Sequence, residues 1–192
     1  METFKVPVGI SNRHIHLSQE HIEALFGVGY SLTKMKDLSQ PGQYACEETV
    51  TLIGPKGKIS GVRVLGPARK ASQVELTGTD TFKVGLKPPV RDSGKLEGSP
   101  GIDVEGPKGR IHMEQGVIIA ARHLHMTPED ANKYSLKDGQ HIRAIVQGPR
   151  GGVLDQVLVR VNPEYALDLH VDMDEGNAFG LANGQQLEVY LN

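Results

Sequence analysis

The sequence has little of several features that mark particular classes of protein. Cys46 is the single cysteine among 192 residues, which excludes an intrachain disulfide and favours a reducing compartment. Tryptophan is absent, and no apolar run approaches the roughly 18 residues that a membrane-spanning helix needs. The formal net charge is −2, so the chain has no excess of basic residues of the kind that is typical of nucleic-acid-binding proteins. We therefore expect a soluble intracellular protein without membrane or nucleic-acid partners.

Glycine and proline are plentiful, with 23 and 11 residues, whereas aromatic residues make up only 5% of the chain. This composition favours short strands joined by tight turns. The pattern Gly-Pro-Lys/Arg-Gly occurs at 54–57, 106–109 and 148–151, and alternating, β-branched segments flank the first and the third copies. Such turns between such segments predict β-hairpins. The sequence thus predicts a mainly β fold.

A short motif with two histidines occurs twice, as Arg-His-Ile-His-Leu-Ser at 13–18 and Arg-His-Leu-His-Met-Thr at 122–127. On a strand, residues i and i+2 point to the same face, whereas on a helix they diverge. Each His-x-His pair therefore predicts two imidazoles that project together, with Ile15 or Leu124 turned the other way. One such pair is as compatible with packing as with metal binding, but two copies in matching contexts favour two metal sites.

Each His-x-His segment precedes the signals of a short helix. Ser18 is a predicted N-cap, and Gly27 is the predicted end of that helix. In the second copy Thr127 is the predicted N-cap, Pro128 the first helical residue and Asp130 the third. A strand with two histidines followed by a capped helix is therefore expected in both halves of the chain.

A weaker duplication suggests a third ligand for each pair. A proline-containing segment occurs in each half, at 64–67 and at 161–163. The first is followed by a predicted apolar strand that carries Glu75, and the second by one that carries His170. If the halves are related, with a gap of one residue, these two positions are equivalent. The pairing predicts two sets of three ligands, namely His14, His16, Glu75 and His123, His125, His170.

Three protein ligands leave a tetrahedral zinc with an open position, the pattern of catalytic rather than structural sites. Zinc suits imidazole and carboxylate donors, and iron, cobalt or manganese fit the same ligand types. From the residues alone, a zinc hydrolase ranks first, and a non-catalytic zinc-stabilised β-domain is a further alternative.

Arg69 is either a charged surface residue or a residue near Glu75 whose guanidinium binds phosphate through two N–H groups. Cys46 is interpreted as a packing residue rather than a nucleophile.

Together these motifs resemble the PduL-type phosphate acyltransferases (phosphotransacylases, including phosphate propanoyltransferase). The resemblance covers essentially the whole chain and rests on residues 11–17, 64–70, 73–75, 121–126 and 169–171. It implies a reversible, zinc-dependent transfer of a short acyl group, propanoyl or acetyl, between coenzyme A and inorganic phosphate. We expect a direct displacement without an acyl-enzyme.

The resemblance also implies the roles of particular residues. His14, His16 and Glu75 are expected to bind one zinc ion, and His123, His125 and His170 a second zinc ion in the same chain. Arg69 is the expected phosphate-binding arginine and the one residue to which we assign a catalytic role. Coenzyme A is the expected thiol substrate.

The implied fold has two related β-barrels with short capping helices and an active-site cleft between them. The barrels are interleaved, so that residues 3–12 join 121–192, while 13–120 form the central barrel with an insertion near 27–48. A homodimer is expected. Family members in bacterial microcompartments carry an N-terminal extension, whereas thirteen residues precede His14 here, so a cytoplasmic enzyme is expected rather than one in a microcompartment lumen.

Overall fold

The computed structural model describes residues 3–191, and within that range the chain forms fifteen strands and four short helices. Up to residue 91 these are β1 (Thr3–Ser11), β2 (His14–Ser18), α1 (Gln19–Phe26), β3 (Lys34–Asp37), β4 (Tyr44–Ile53), β5 (Lys58–Arg69), β6 (Gln73–Glu75), α2 (Gly78–Val84) and β7 (Val90–Arg91). From residue 102 they are β8 (Ile102–Glu105), β9 (Arg110–Met113), β10 (Val117–Ala120), β11 (His123–Met126), α3 (Pro128–Lys133), β12 (His141–Val146), β13 (Gly152–Val161), β14 (Asp168–Asp172), α4 (Met173–Phe179) and β15 (Gln186–Tyr190).

One unit of the chain contains a closed six-stranded barrel in the order β1-β14-β11-β13-β12-β15. Strand β1 pairs in parallel with β14 and antiparallel with β15, so the N-terminal strand closes the barrel. Its residues alternate, with Val6 and Val8 in the core and Lys5 exposed, because neighbouring side chains of a strand point to opposite faces. Closure leaves no unpaired sheet edge within this barrel.

The other unit contains a nine-stranded sheet that curls into a half-barrel. Eight strands follow the order β7-β10-β6-β2-β5-β4-β8-β9, and β3 pairs with β4. This unit has its own apolar core, to which Ile15, Val64 and Val74 contribute. A barrel and a curled half-barrel sheet with few short helices confirm the predicted mainly β fold class.

The first unit comprises the described residues up to Ser11, the stretch Ser39–Pro41 and the described residues from Ala121 onward. The second comprises Asn12–Leu38 and Gly42–Ala120. Residues 39–41 belong with the first unit because the buried Gln40 side chain donates to the Ala166 carbonyl and accepts from its N–H, at 3.0 and 3.2 Å. The insertion expected near 27–48 contains β3 and the beginning of β4.

All three Gly-Pro-Lys/Arg-Gly segments connect antiparallel strands, as predicted. The first two turns also pack against the end of a helix. The Lys56 N–H donates to the Val84 carbonyl of α2, and the Lys108 N–H donates to the Leu25 carbonyl of α1. A Cβ atom at Gly54 would overlap with that Val84 oxygen, so the turn accepts only glycine there.

The predicted helix caps are also confirmed. The Ser18 hydroxyl accepts from the His21 N–H, and the N–H of Gly27 closes α1. At α3, Thr127 and Asp130 form a reciprocal capping box with Pro128 in the first turn. None of the helices within residues 3–191 is long and apolar enough to cross a membrane.

Candidate metal centres

The first group of potential ligands lies on two paired strands of the half-barrel sheet. His14 and His16 lie on β2, and Ile15 between them is fully buried in the core. Strand β6 runs antiparallel to β2, and Glu75 lies directly opposite His14. This register brings one donor atom from each of His14, His16 and Glu75 within 4.8 Å of the others.

The same arrangement occurs in the closed barrel. His123 and His125 lie on β11 on either side of the buried Leu124. Strand β14 runs antiparallel to β11 and places His170 directly opposite His123. The donor atoms of these three histidines also lie within 4.8 Å of one another. The structure thus brings the six predicted ligands together as two groups of three, while metal binding by them stays a prediction.

Backbone hydrogen bonds orient the first histidine of each pair. Nδ1 of His14 donates to the Asn12 carbonyl at 2.8 Å, and Nδ1 of His123 donates to the Ala121 carbonyl at 2.7 Å. A proton held on Nδ1 leaves the Nε2 lone pair for a metal, which is how backbone carbonyls usually fix a ligating histidine. In the first group Nε2 of His14 lies 3.4 Å from the Glu75 carboxylate.

Electrostatics in the first group suit a divalent cation. Burial, the His14 charge and the Arg69 charge together lower the pKa of His16 well below its ordinary value, so its imidazole is neutral at neutral pH. Burial also lowers the pKa of His14, but the Glu75 charge and hydrogen bond and the Asn12 carbonyl outweigh it, and the pKa is raised. Nδ1 of His16 is buried and has no hydrogen-bond partner among residues 3–191. A neutral imidazole with a buried unsatisfied nitrogen beside a carboxylate is what a metal ion requires.

A hydrogen-bond network holds the Glu75 carboxylate and extends to Arg69. The Gln73 amide donates to Oε1 of Glu75 at 2.5 Å, and the Ser93 hydroxyl donates to the same oxygen at 3.2 Å. The Gly94 N–H fixes the Gln73 amide by donating to its oxygen at 2.8 Å. Nη1 of Arg69 donates to the Ser93 hydroxyl at 3.4 Å. The half-buried guanidinium therefore lies beside the first group, with Ser93 between it and Glu75.

The third ligand of the second group has different neighbours. Nε2 of His170 donates to the buried Asp168 carboxylate at 2.9 Å, and the Ser39 hydroxyl lies 3.2 Å from the same nitrogen. Gly9 on β1 lies beside His170 in the parallel register. A Cβ atom at residue 9 would lie 2.8 Å from Cδ2 of the imidazole, so only glycine leaves His170 in place.

Four further residues were not predicted from the sequence as part of the site, namely Gln73, Ser93, Asp168 and Ser39. Gln73 and Asp168 had a sequence signal, because each lies two residues before a predicted third ligand and therefore on the same face of its strand. Their chemistry matches that ligand: an amide donates to the Glu75 carboxylate, and a carboxylate accepts from the His170 imidazole. Ser93 and Ser39 lie far from the ligands in sequence, and only the fold brings them close.

The other three histidines take no part in either group. Nδ1 of His21 lies 2.7 Å from the Ser72 hydroxyl, and the exposed His112 pairs with Asp103 at 2.6 Å. His141 is exposed on β12. All three are therefore interpreted as ordinary residues rather than as metal ligands.

Comparisons with known proteins point to one family. The family model for phosphate propanoyltransferase matches residues 7–182. A phosphate propanoyltransferase of Thermotoga maritima is 57% identical over 178 residues, covering 92% of this chain and 85% of the relative. Proteins of the same name from Rhodobacter capsulatus and Priestia megaterium are each 54% identical, over 96% and 93% of this chain and 86% and 82% of their own length.

Proposed function

Because the chain belongs to the phosphate propanoyltransferase family and is an acyltransferase, we propose that it transfers a short acyl group reversibly between coenzyme A and inorganic phosphate. Propanoyl and acetyl are the proposed acyl groups. The observation that carries the proposal is the presence of two groups of three potential metal ligands and of Arg69, which is hydrogen-bonded through Ser93 towards one of them.

We propose that His14, His16 and Glu75 hold one zinc ion and that His123, His125 and His170 hold another. Neutral imidazoles and one carboxylate are donors that zinc prefers, and three protein ligands leave a coordination position for substrate. When bound, the metal ions supply Lewis acidity that stabilises a thiolate and neutralises phosphate charge. Gln73 and Asp168 orient the third ligand of each group, as partners of metal ligands commonly do.

The role that we propose for Arg69 is to bind and orient phosphate. Its guanidinium offers parallel N–H donors that match two phosphate oxygens, and it is always charged. A phosphate oxygen then forms a bond to the thioester carbonyl carbon, and the carbon–sulfur bond breaks with its electron pair leaving on the coenzyme A thiolate. Acyl phosphate and coenzyme A are the products, and no covalent acyl-enzyme is formed. Holding the two reactants in line supplies much of the rate.

Cys46 is not expected to act as an acyl carrier. Its side chain is fully buried, and burial, with the nearby Glu48 charge, raises the pKa of the thiol to about 11. The thiolate that would attack a thioester is therefore scarce at neutral pH. We expect Cys46→Ala to retain acyl transfer, and iodoacetamide at neutral pH to leave the folded enzyme active. Loss of acyl transfer in a folded Cys46→Ala variant, together with rapid inactivation of the parent enzyme by iodoacetamide, would contradict the direct route.

A thiol-release assay tests the function itself. Purified enzyme is incubated with acetyl-, propanoyl- or butanoyl-coenzyme A with and without phosphate, while metal content is measured on the same sample. We expect free thiol to appear only with phosphate, together with an equal amount of acyl phosphate, in protein that contains zinc. Thiol release that does not depend on phosphate would favour a zinc-dependent thioesterase instead.

Three finer expectations accompany this function. A homodimer, which the family resemblance implies, and a cytoplasmic location both stay predictions. The interleaved organisation of the family, in which the N-terminal strand joins the C-terminal segment, is part of the same proposal. Family membership and the pairing of β1 with β14 and β15 support that organisation.

A further inference from the structure

An ion pair with the same layout occurs next to both groups of ligands. Nε of Arg13 lies 2.8 Å from Oδ2 of Asp80, and Nε of Arg122 lies 2.7 Å from Oε1 of Glu175. Each arginine immediately precedes the first histidine of its His-x-His pair. These four residues belong to neither group of potential metal ligands, and they have no role in the proposed reaction.

The acidic partners also hold equivalent positions. Asp80 follows the ligand Glu75 by five residues, and Glu175 follows the ligand His170 by five residues (80 minus 75, and 175 minus 170). Both acids lie in the first turn of a short helix. The N–H of Asp80 donates to the N-cap Thr77 of α2, and the N–H of Glu175 donates to the N-cap Asp172 of α4.

This layout ties together the two segments that must meet at a metal. Strand β6 has only three residues and ends at Glu75, so its ladder with β2 has three residue pairs and none beyond the ligand. On its other side Glu75 pairs with Ile118 of β10, but towards β2 no ladder holds the chain beyond Glu75, so its position there also depends on the next element, helix α2. The Arg13–Asp80 pair connects α2 to the residue next to His14. Arg122 and Glu175 connect α4 to the residue next to His123 in the same way.

We propose that Arg13 and Arg122 are positioning residues, each of which sets the distance between a His-x-His pair and the third ligand of its own metal group. This inference rests on the proposed function, since it requires metal at both groups. The Asp80 side chain is 1% exposed, whereas that of Glu175 is 20% exposed. The two arginines are similarly exposed, at 34% for Arg13 and 29% for Arg122, so the deeper burial of Asp80 makes the difference. Water and salt screen a buried carboxylate less, so Arg13 has the larger effect of the two.

Zinc titration of single-group variants of the full-length protein tests the proposal. His123→Ala with His125→Ala leaves only the first group, and His14→Ala with His16→Ala leaves only the second. Zinc affinity is measured by competition with a chromophoric chelator, before and after adding Arg13→Gln or Arg122→Gln to each background. We expect Arg13→Gln to weaken zinc binding at the first group about 10-fold or more, as loss of an orienting partner does, and to leave the second group unchanged. Arg122→Gln should show the reverse selectivity with a smaller loss.

A control addresses the buried charge that Arg13→Gln leaves behind. Asp80 would then be a shielded carboxylate without its cation, which destabilises the fold. The combined variant Arg13→Gln with Asp80→Asn removes both charges, and its folding is checked by circular dichroism. We expect this variant to be folded and still to bind zinc weakly at the first group. Full zinc affinity in the folded double variant would overturn the proposal, because the pair would then serve only to neutralise Asp80.

The other outcomes separate this inference from the function on which it rests. If the single-group proteins bind zinc and neither arginine substitution changes their zinc affinity, the positioning roles are wrong, whereas the proposed metal groups still hold. Equal loss at both groups from either substitution also overturns them, since it indicates a general loss of stability. If neither single-group protein binds zinc, the metal groups of the proposed function fail and the positioning roles fail with them.

Discussion

Replacing His16 or His125 by alanine is expected to lower acyl transfer by about a thousandfold or more. Each substitution removes one of the three proposed ligands of a group. A catalytic metal contributes several kcal/mol of charge stabilisation, and each tenfold in rate corresponds to about 1.4 kcal/mol. The two residues are equivalent in the duplication, so the variants form a matched pair. Phosphate-dependent thiol release measures the activity, and elemental analysis of the purified variants should show one zinc ion fewer per chain.

Two controls make this result specific. His112→Ala removes an exposed histidine that pairs with Asp103 and Glu114, and it should retain both activity and metal. Treatment of the parent enzyme with a strong chelator should abolish activity, and added zinc should restore it. Because His16 and His125 are buried, circular dichroism must show that each variant is folded. A folded His16→Ala variant with full activity would rule out catalysis by metal at the first group.

Replacing Arg69 by alanine is expected to damage the use of phosphate selectively. Hydrogen bonds to a charged group contribute about 1.5–3 kcal/mol, so kcat/KM for phosphate should fall by about 10- to 100-fold. The KM for acyl-coenzyme A should change little, because the proposed contact is to phosphate alone. Arg69→Lys keeps the charge but not the two parallel donors, so it should recover only part of the loss.

The neighbouring cation provides the control for this variant. Lys70 is exposed and follows Arg69 directly, so Lys70→Ala tests whether any positive charge at this end of β5 attracts phosphate. It should leave the phosphate dependence unchanged. Zinc content should also be unchanged in Arg69→Ala, because Arg69 is not one of the six proposed metal ligands. An Arg69→Ala enzyme with normal phosphate dependence would show that the guanidinium does not bind this substrate.

Sequence patterns predicted the local structure correctly wherever a short segment determines its own conformation. Ser18 and Thr127 cap helices because their hydroxyls satisfy N–H groups two or three residues further along, which is visible in the sequence. The glycine–proline turns are local for the same reason. The beginning of β4 could not be predicted, because residues 44–48 have weak periodicity in the sequence. They belong to the strand because this part of β4 pairs with β3 and β5.

The candidate site divides in a similar way. The duplication of the His-x-His motif indicated which histidines to group, and the parallel position of Glu75 and His170 indicated the third members. The strand register explains why this worked, since Glu75 and His170 each lie opposite the first histidine of a pair. The ion pairs of Arg13 and Arg122 were not predicted, because their acidic partners lie more than fifty residues away in the sequence.

By itself the sequence determined the mainly β class, the hairpin turns, the helix caps and the six residues that form two groups. Each of these depends on spacing along one strand or turn, or on a repeat that the chain displays twice. That the first strand joins the C-terminal segment was implied by the family resemblance and by no spacing in the chain. Only the tertiary structure decided that Ser39 reaches His170 and that Ser93 joins Arg69 to Glu75. Those contacts join residues far apart in the chain, and their partners are chosen by the pairing of strands and the packing of two separate cores rather than by any local pattern.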